Sequence, residues 1–321
     1  MIAVFKRAII AISASLVFAA CSTTPQLTYL IESGQDVQAR GAVADPVFYT
    51  QRTNECGPAA LAMTLAHTGL DVTPDELVDQ VYLPGREGSI APSLVAAARR
   101  HGRVAYPIHG LQSMFTFIDE NVPILVLQNL GLSWYPKWHY AVVIGYDLGT
   151  QSVTLHSGET PNMQMSMATF ERTWARSGYW AIAALKPDKV PRTALEEDYV
   201  QAVAGVERAQ RFLEAAKGYE SALARWPNNR IALMGAGNAL YQSGDMDGAA
   251  QAFDRARTRL PDNADAHNNC AHVMAMNGDL AAAEIAARRA VELGGENQSV
   301  YLETLQSIEA AKRPANNVSG G

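Results

Sequence analysis

Gln51-Arg52-Thr53-Asn54-Glu55-Cys56-Gly57-Pro58-Ala59-Ala60-Leu61-Ala62-Met63 reads as a loop, then a thiol, then an apolar helix. Pro58 suits a first helical turn, because the N–H it lacks would be unpaired there anyway. Gly69 after Thr68 supplies a stop. The pattern predicts a helix over Asn54–Thr68, with the Cys56 sulfur where free backbone N–H groups converge and the helix dipole is positive. Such a place favours the thiolate, which is the nucleophilic form. A structural cysteine belongs more often on the apolar face in mid-helix.

Around this helix the pattern is mixed. Thr73 caps a second helix with Pro74 at its first position, Ala91–His101 is a third, and Leu111–Glu120 a shorter fourth. Pro123–Gln128, Tyr140–Tyr146 and Gln151–His156 then read as strands, the last two joined by a turn at Asp147-Leu148-Gly149-Thr150. Ala168–Arg176 is expected as a helix and Gly178–Leu185 as a closing strand. Helices followed by antiparallel strands predict an α+β domain over residues 45–190.

Beyond it the composition turns rich in alanine, with a visible period. Pro227, Pro261 and Gly295 are 34 apart, as are Ala222, Ala256 and Ala290. Tyr219, Phe253 and Ala287 share the register, and Gly244 and Gly278, each followed by Asp, mark matching turns. This is the tetratricopeptide pattern of paired helices, in which small residues permit close crossings. It predicts an all-α repeat domain over 191–312, with a capping helix at 299–312 and a disordered tail at 313–321. The first repeat departs from the pattern by having Gln210 in place of glycine.

The N-terminus reads as a targeting segment. Lys6 and Arg7 precede a short apolar run, Ala8–Ala20, which meets Cys21 directly. Small residues before a cysteine resemble the bacterial lipoprotein signal, which implies a signal peptide over 1–20, lipidation of Cys21 and a tether or linker over 21–44. Ser22 after that cysteine resembles the outer-membrane-sorted class, so the expected location is the outer membrane, facing the periplasm. Contact with the membrane would be through the lipid anchor only.

The 321 residues are 48% apolar and carry a net charge of −6, which argues against a nucleic-acid partner. With Cys21 taken for lipidation, only Cys56 and Cys270 remain, too few for a disulfide framework. Cys270 falls at a small-residue position of a repeat helix and reads as core. His267 and His272 are five apart with no carboxylate cluster, so neither a metal site nor a cofactor is expected.

A thiolate nucleophile needs a base, and His139 heads the apolar strand Trp138-His139-Tyr140-Ala141-Val142-Val143-Ile144-Gly145-Tyr146. If Tyr146 pairs with Gln151, His139 falls opposite Gly158, with Ser157 and His156 beside it. Asp147 is then more than ~20 Å away along the strand and cannot orient the imidazole. Gln51 carries an amide able to donate to an oxyanion together with the backbone N–H of the nucleophile region. Trp134, Tyr135 and Trp138 either line a cleft or pack a long loop.

Gln51, Asn54–Leu61 and His139–Asp147 together resemble the bacteriocin-processing peptidase family. These are papain-like cysteine peptidases that remove leader peptides after a double glycine. The resemblance covers roughly residues 45–186. It implies a papain-like fold, Cys56 as nucleophile, His139 as general base and acid, Gln51 as oxyanion donor and a peptide or protein substrate. The family's orienting Asp-Pro is replaced here by Leu155-His156-Ser157-Gly158, which leaves Ser157 as an uncharged substitute. Three readings follow: a thiol peptidase whose repeats recruit substrate or a protein partner; an inactive peptidase-like scaffold acting through protein–protein interaction; and acyl transfer by the same Cys–His pair.

Overall fold

The computed structural model describes residues 24–33 and 37–313. The expected signal segment, Cys21 and the tail after Arg313 lie outside the described residues. The chain divides into two compact units, with the main changeover between Leu185 and Lys186.

The first unit is α+β. Its elements run α1 (Pro25–Ser33), β1 (Arg40–Ala42), α2 (Cys56–His67), α3 (Pro74–Val81), β2 (Tyr82–Leu83), β3 (Gly88–Ser89), α4 (Ala91–Arg100), β4 (Val104–Pro107) and α5 (Gly110–Asp119). Then come β5 (Ile124–Asn129), β6 (Trp138–Asp147), β7 (Ser152–Ser157), β8 (Thr160–Ser166), α6 (Met167–Ala175) and β9 (Ala181–Leu185). Seven strands form one sheet in the order β4-β9-β5-β6-β7-β8, with β1 also paired to β6. The long strand β6 therefore organises the sheet. Antiparallel β5 lies along its first half and β1 along its last three residues, while β7 takes the other edge.

Helix α2 is apolar all round because it is the core: every residue from Gly57 to Leu65 is buried. Gly69, at φ 82°, ends it as expected. Helix α3 begins with a capping box between Thr73 and Glu76, whose carboxylate accepts the Thr73 N–H at 2.7 Å.

Several expectations are corrected. The stretch 21–44 is not a patternless tether, because it holds α1 and β1. Leu27 and Leu30 of α1 are buried, but two apolar residues are too short a stripe to register in the sequence. Strand β8 was not expected either, since as an edge strand it buries no residue and contains Pro161. The hairpin register is also different. Asp147 pairs with Ser152 and Tyr146 with Val153, so the turn is Leu148–Gln151, with Gln151 left-handed at φ 48°. An irregularity between Val143 and Gly145 then takes back one residue, and Val142 faces His156.

Glu171 of α6 is fully buried and caps α1, accepting the N–H groups of Gln26 and Leu27 at 2.9 and 2.8 Å. Gln26 in turn accepts the Leu111 N–H at the start of α5, at 2.9 Å. Replacing Glu171 by alanine strands two helix-start donors and is expected to cost about 2 kcal/mol. Amide exchange over residues 25–33 would accelerate; unchanged protection there would refute this role.

The second unit is all-α: α7 (Glu196–Arg208), α8 (Phe212–Arg225), α9 (Arg230–Ser243), α10 (Met246–Arg259), α11 (Ala264–Met276), α12 (Leu280–Leu293) and α13 (Gln298–Lys312). The period is visible in its caps. Asn229 and Asn263 accept the N–H of Ala232 and Ala266, and Asp245 and Asp279 those of Gly248 and Ala282. Gly244 and Gly278 adopt φ 87° and 85° just before the Asp caps. Gln210, at the equivalent place in the first repeat, is forced left-handed at φ 60°. The close crossings need glycine: a Cβ on Gly237 would sit 2.5 Å from the Phe253 ring. Cys270 is buried in the core with Ala249, Phe253 and Val273, as its small-residue position predicts.

Candidate active site

The first residue of α2 is Cys56, so its sulfur lies at the free end of a buried helix. The backbone of Tyr140 in β6, and that of Gly57 and Cys56 itself, favours its anion. Burial outweighs all three and pushes the thiol above its ordinary value. The helix start alone points to a thiolate; the backbone groups act in that sense and burial acts against them. His139 moves the other way. Burial first, and then the positive charge of Lys137, lower it from its ordinary value. Both directions disfavour the charged forms of the two groups.

His139 is the second residue of β6 and pairs with Gln128 of β5. Its Nε2 lies 2.8 Å from the Ser157 Oγ at the end of β7. Nδ1 is therefore the ring nitrogen left for another partner. The turn displaces the register by two residues and the bulge in β6 returns one, and the remaining offset still leaves Ser157 within reach of His139. His156 faces away into the core, where Phe48 stacks edge-on at 5.0 Å and the Asn162 N–H donates to Nδ1.

Gln51 is buried and tied on both sides. Its Nε2 donates to the Tyr140 carbonyl at 3.1 Å, and its Oε1 accepts the Gly158 N–H at 2.9 Å. One of its two amide protons remains for another acceptor. The roles of Tyr140 and Gly158 are played by backbone atoms, so no side-chain pattern announced them.

Gln51, Cys56, Trp138, His139 and Gly158 line one cleft of about 900 Å³, together with the β2–β3 hairpin around Ser89. Ser157 stands behind the imidazole. The arrangement is chemically able to deprotonate a thiol and to donate hydrogen bonds to a developing oxyanion.

Residues 43–182 match the model of the Peptidase_C39 like family. Residues 207–264 and 240–305 match two tetratricopeptide repeat models. Among curated proteins none matches this chain. A crystal structure assigned as a C39-like peptidase from Bacillus anthracis is similar at 18% identity and TM-score 0.40, covering 46% of this chain and 98% of its own. The tetratricopeptide domain of Sgt2 from Aspergillus fumigatus is similar at 19% identity and TM-score 0.33, covering 39% of this chain and 89% of its own. The Yersinia enterocolitica type III secretion chaperone SycD, in complex with a peptide of the translocator YopD, is similar at 16% identity and TM-score 0.34, covering 36% of this chain and 94% of its own. The chain thus carries a Peptidase_C39-like domain followed by tetratricopeptide repeats.

Proposed function

We propose that the first unit is a cysteine peptidase that hydrolyses a peptide bond of a peptide or protein substrate. The observation that carries this reading is the shared cleft, lined by Cys56 at a helix start and by His139, whose Nε2 lies 2.8 Å from the Ser157 Oγ. His139 takes the Cys56 proton as the sulfur attacks the carbonyl carbon. The backbone N–H of Cys56 and the second amide proton of Gln51 receive the oxyanion. The tetrahedral species collapses, His139 gives its proton to the leaving amine, and water then releases the acyl group with His139 again as base.

The two opposed shifts fix the expected pH dependence. His139 works as a neutral base, so activity should fall only below the ordinary histidine value of about 6.5, and the alkaline limb should lie above the ordinary thiol value of about 8.5. The check is a peptide mixture incubated with the full chain between pH 5 and 10 and read by mass spectrometry. New termini that vanish in Cys56→Ala are expected; identical products from the variant would sink the reading.

A second reading has its own observation. Ser157 cannot stabilise an imidazolium as a carboxylate does, which favours a scaffold that acts through its repeats. Under either reading the repeats would recruit substrate or a protein partner. Bacteriocin-type processing at a double glycine is the finer assignment that the sequence resemblance suggests. We also propose a lipoprotein anchored through Cys21 in the outer membrane and facing the periplasm, on the strength of Leu16–Cys21. Cys21→Ser should then move the protein from the membrane pellet to the soluble fraction, and unchanged fractionation would refute the anchor.

A further inference from the structure

Between β5 and β6 the chain makes a tight hairpin that leaves its aromatic side chains in water. Trp134 is 81% exposed, Tyr135 73% and Trp138 52%, with Leu132 exposed beside them. Burial would normally claim such residues. The hairpin is also rigidly built. Asn129, itself buried, accepts the N–H groups of Gly131 and Lys137, both at 2.9 Å, and donates to the Leu132 carbonyl at 3.3 Å. Leu132 and Tyr135 exchange two backbone hydrogen bonds at 3.1 Å. Only glycine fits at 131, where a Cβ would meet the Tyr135 carbonyl oxygen at 2.4 Å. A braced loop that displays apolar surface is a platform for a partner rather than loose packing.

The position of the platform identifies the partner. Lys137 and Trp138 line the same cleft as Cys56 and His139, and Trp138 directly precedes His139 in β6. We propose that the end of this hairpin, Lys137 and Trp138, is the specificity wall of this cleft, braced by the rest of the loop. It takes an apolar, preferably aromatic, side chain of the peptide substrate within about two residues, or ~7 Å of extended chain, of the scissile bond. The proposal rests on the peptidase reading of the cleft and adds a side-chain preference to it.

The test uses two electrophiles, acetyl-Phe-Gly-chloromethyl ketone and acetyl-Ala-Gly-chloromethyl ketone, on the full chain, with alkylation of Cys56 followed by peptide mapping. The phenylalanine reagent should react about tenfold faster, as hot-spot burial of one ring would give. Trp138→Ala should shrink that ratio, while Trp134→Ala, off the cleft, is the control and should leave it; a ratio cancels any general change in thiol reactivity. Both side chains are exposed, so their truncation leaves the core intact. Equal rates in the parent chain, or a preference that survives Trp138→Ala, would overturn the proposal.

A second arm does not need the thiol. In Cys56→Ser, tryptophan emission is titrated with acetyl-Phe-Gly-amide and acetyl-Ala-Gly-amide. Tighter binding of the phenylalanine peptide, lost in Trp138→Ala, supports the wall even if Cys56 proves inert and the peptidase reading fails. No difference between the peptides overturns it. So does a blue shift with phosphatidylglycerol–phosphatidylethanolamine vesicles in the absence of any peptide preference, which would assign the hairpin to a bilayer.

Discussion

His139→Ala is expected to slow alkylation of Cys56 by a peptidyl chloromethyl ketone by about 10²–10⁴-fold, the usual worth of a positioned general base. The reason is the resting state of the pair. Burial pushes the thiol up and the imidazole down, so on the proposed peptidase reading attack by Cys56 draws on proton transfer to His139. Ser157→Ala should cost less, about 10-fold, because it removes the group that orients the ring and leaves the ring in place. Ser157→Asp should act in the opposite sense on charge. A carboxylate next to Nε2 favours imidazolium, so the acid limb of the profile should move to higher pH. If His139→Ala reacts as fast as the parent at every pH, the thiol is an ordinary one and the scaffold reading stands.

Phe253→Ala should be the most damaging single change in the repeats. Phe253 is 2% exposed and sits against Gly237, in the core with Ala249, Cys270 and Val273. Alanine repeats line the crossing helices, so little nearby volume can move in to fill the hole. The expected cost is about 3–5 kcal/mol. For a unit of this size that is a fall of roughly 10–20 °C in the melting temperature of the repeats. Ile285→Ala, 73% exposed on α12, is the control and should change stability by less than about 0.5 kcal/mol. Equal losses from the two would mean that the crossing is not held by the ring.

The sequence made some layers of this structure plain and hid others for physical reasons. Helix α2 was legible because a start signal, an unbroken apolar run and Gly69 agree. The repeats were legible because the period of 34 returns the same residue types to the same crossings. The meeting of His139 with Ser157 was anticipated, although the pairing used to reach it was displaced at the turn and again at the bulge. A bulge is a local choice between nearly equal registers, and nothing in Val143-Ile144-Gly145 marks it. The protonation state of Cys56 was hidden more deeply. Helix-end donors can be read locally, whereas desolvation is the sum of everything folded around the sulfur. Gln51 was named for its side chain, but its two partners are the backbone of Tyr140 and Gly158, whose positions exist only in the finished sheet.

That double tether has a consequence for the timing of synthesis. Gln51 reaches 89 residues along the chain to Tyr140 and 107 to Gly158. At about 5–20 residues per second, roughly 5–20 s pass between synthesis of Cys56 and of Gly158. Until the sheet closes, the sulfur is an ordinary thiol and Gln51 has neither of its backbone partners in place. On the proposed reading, the site is therefore complete only when the sheet has closed around it.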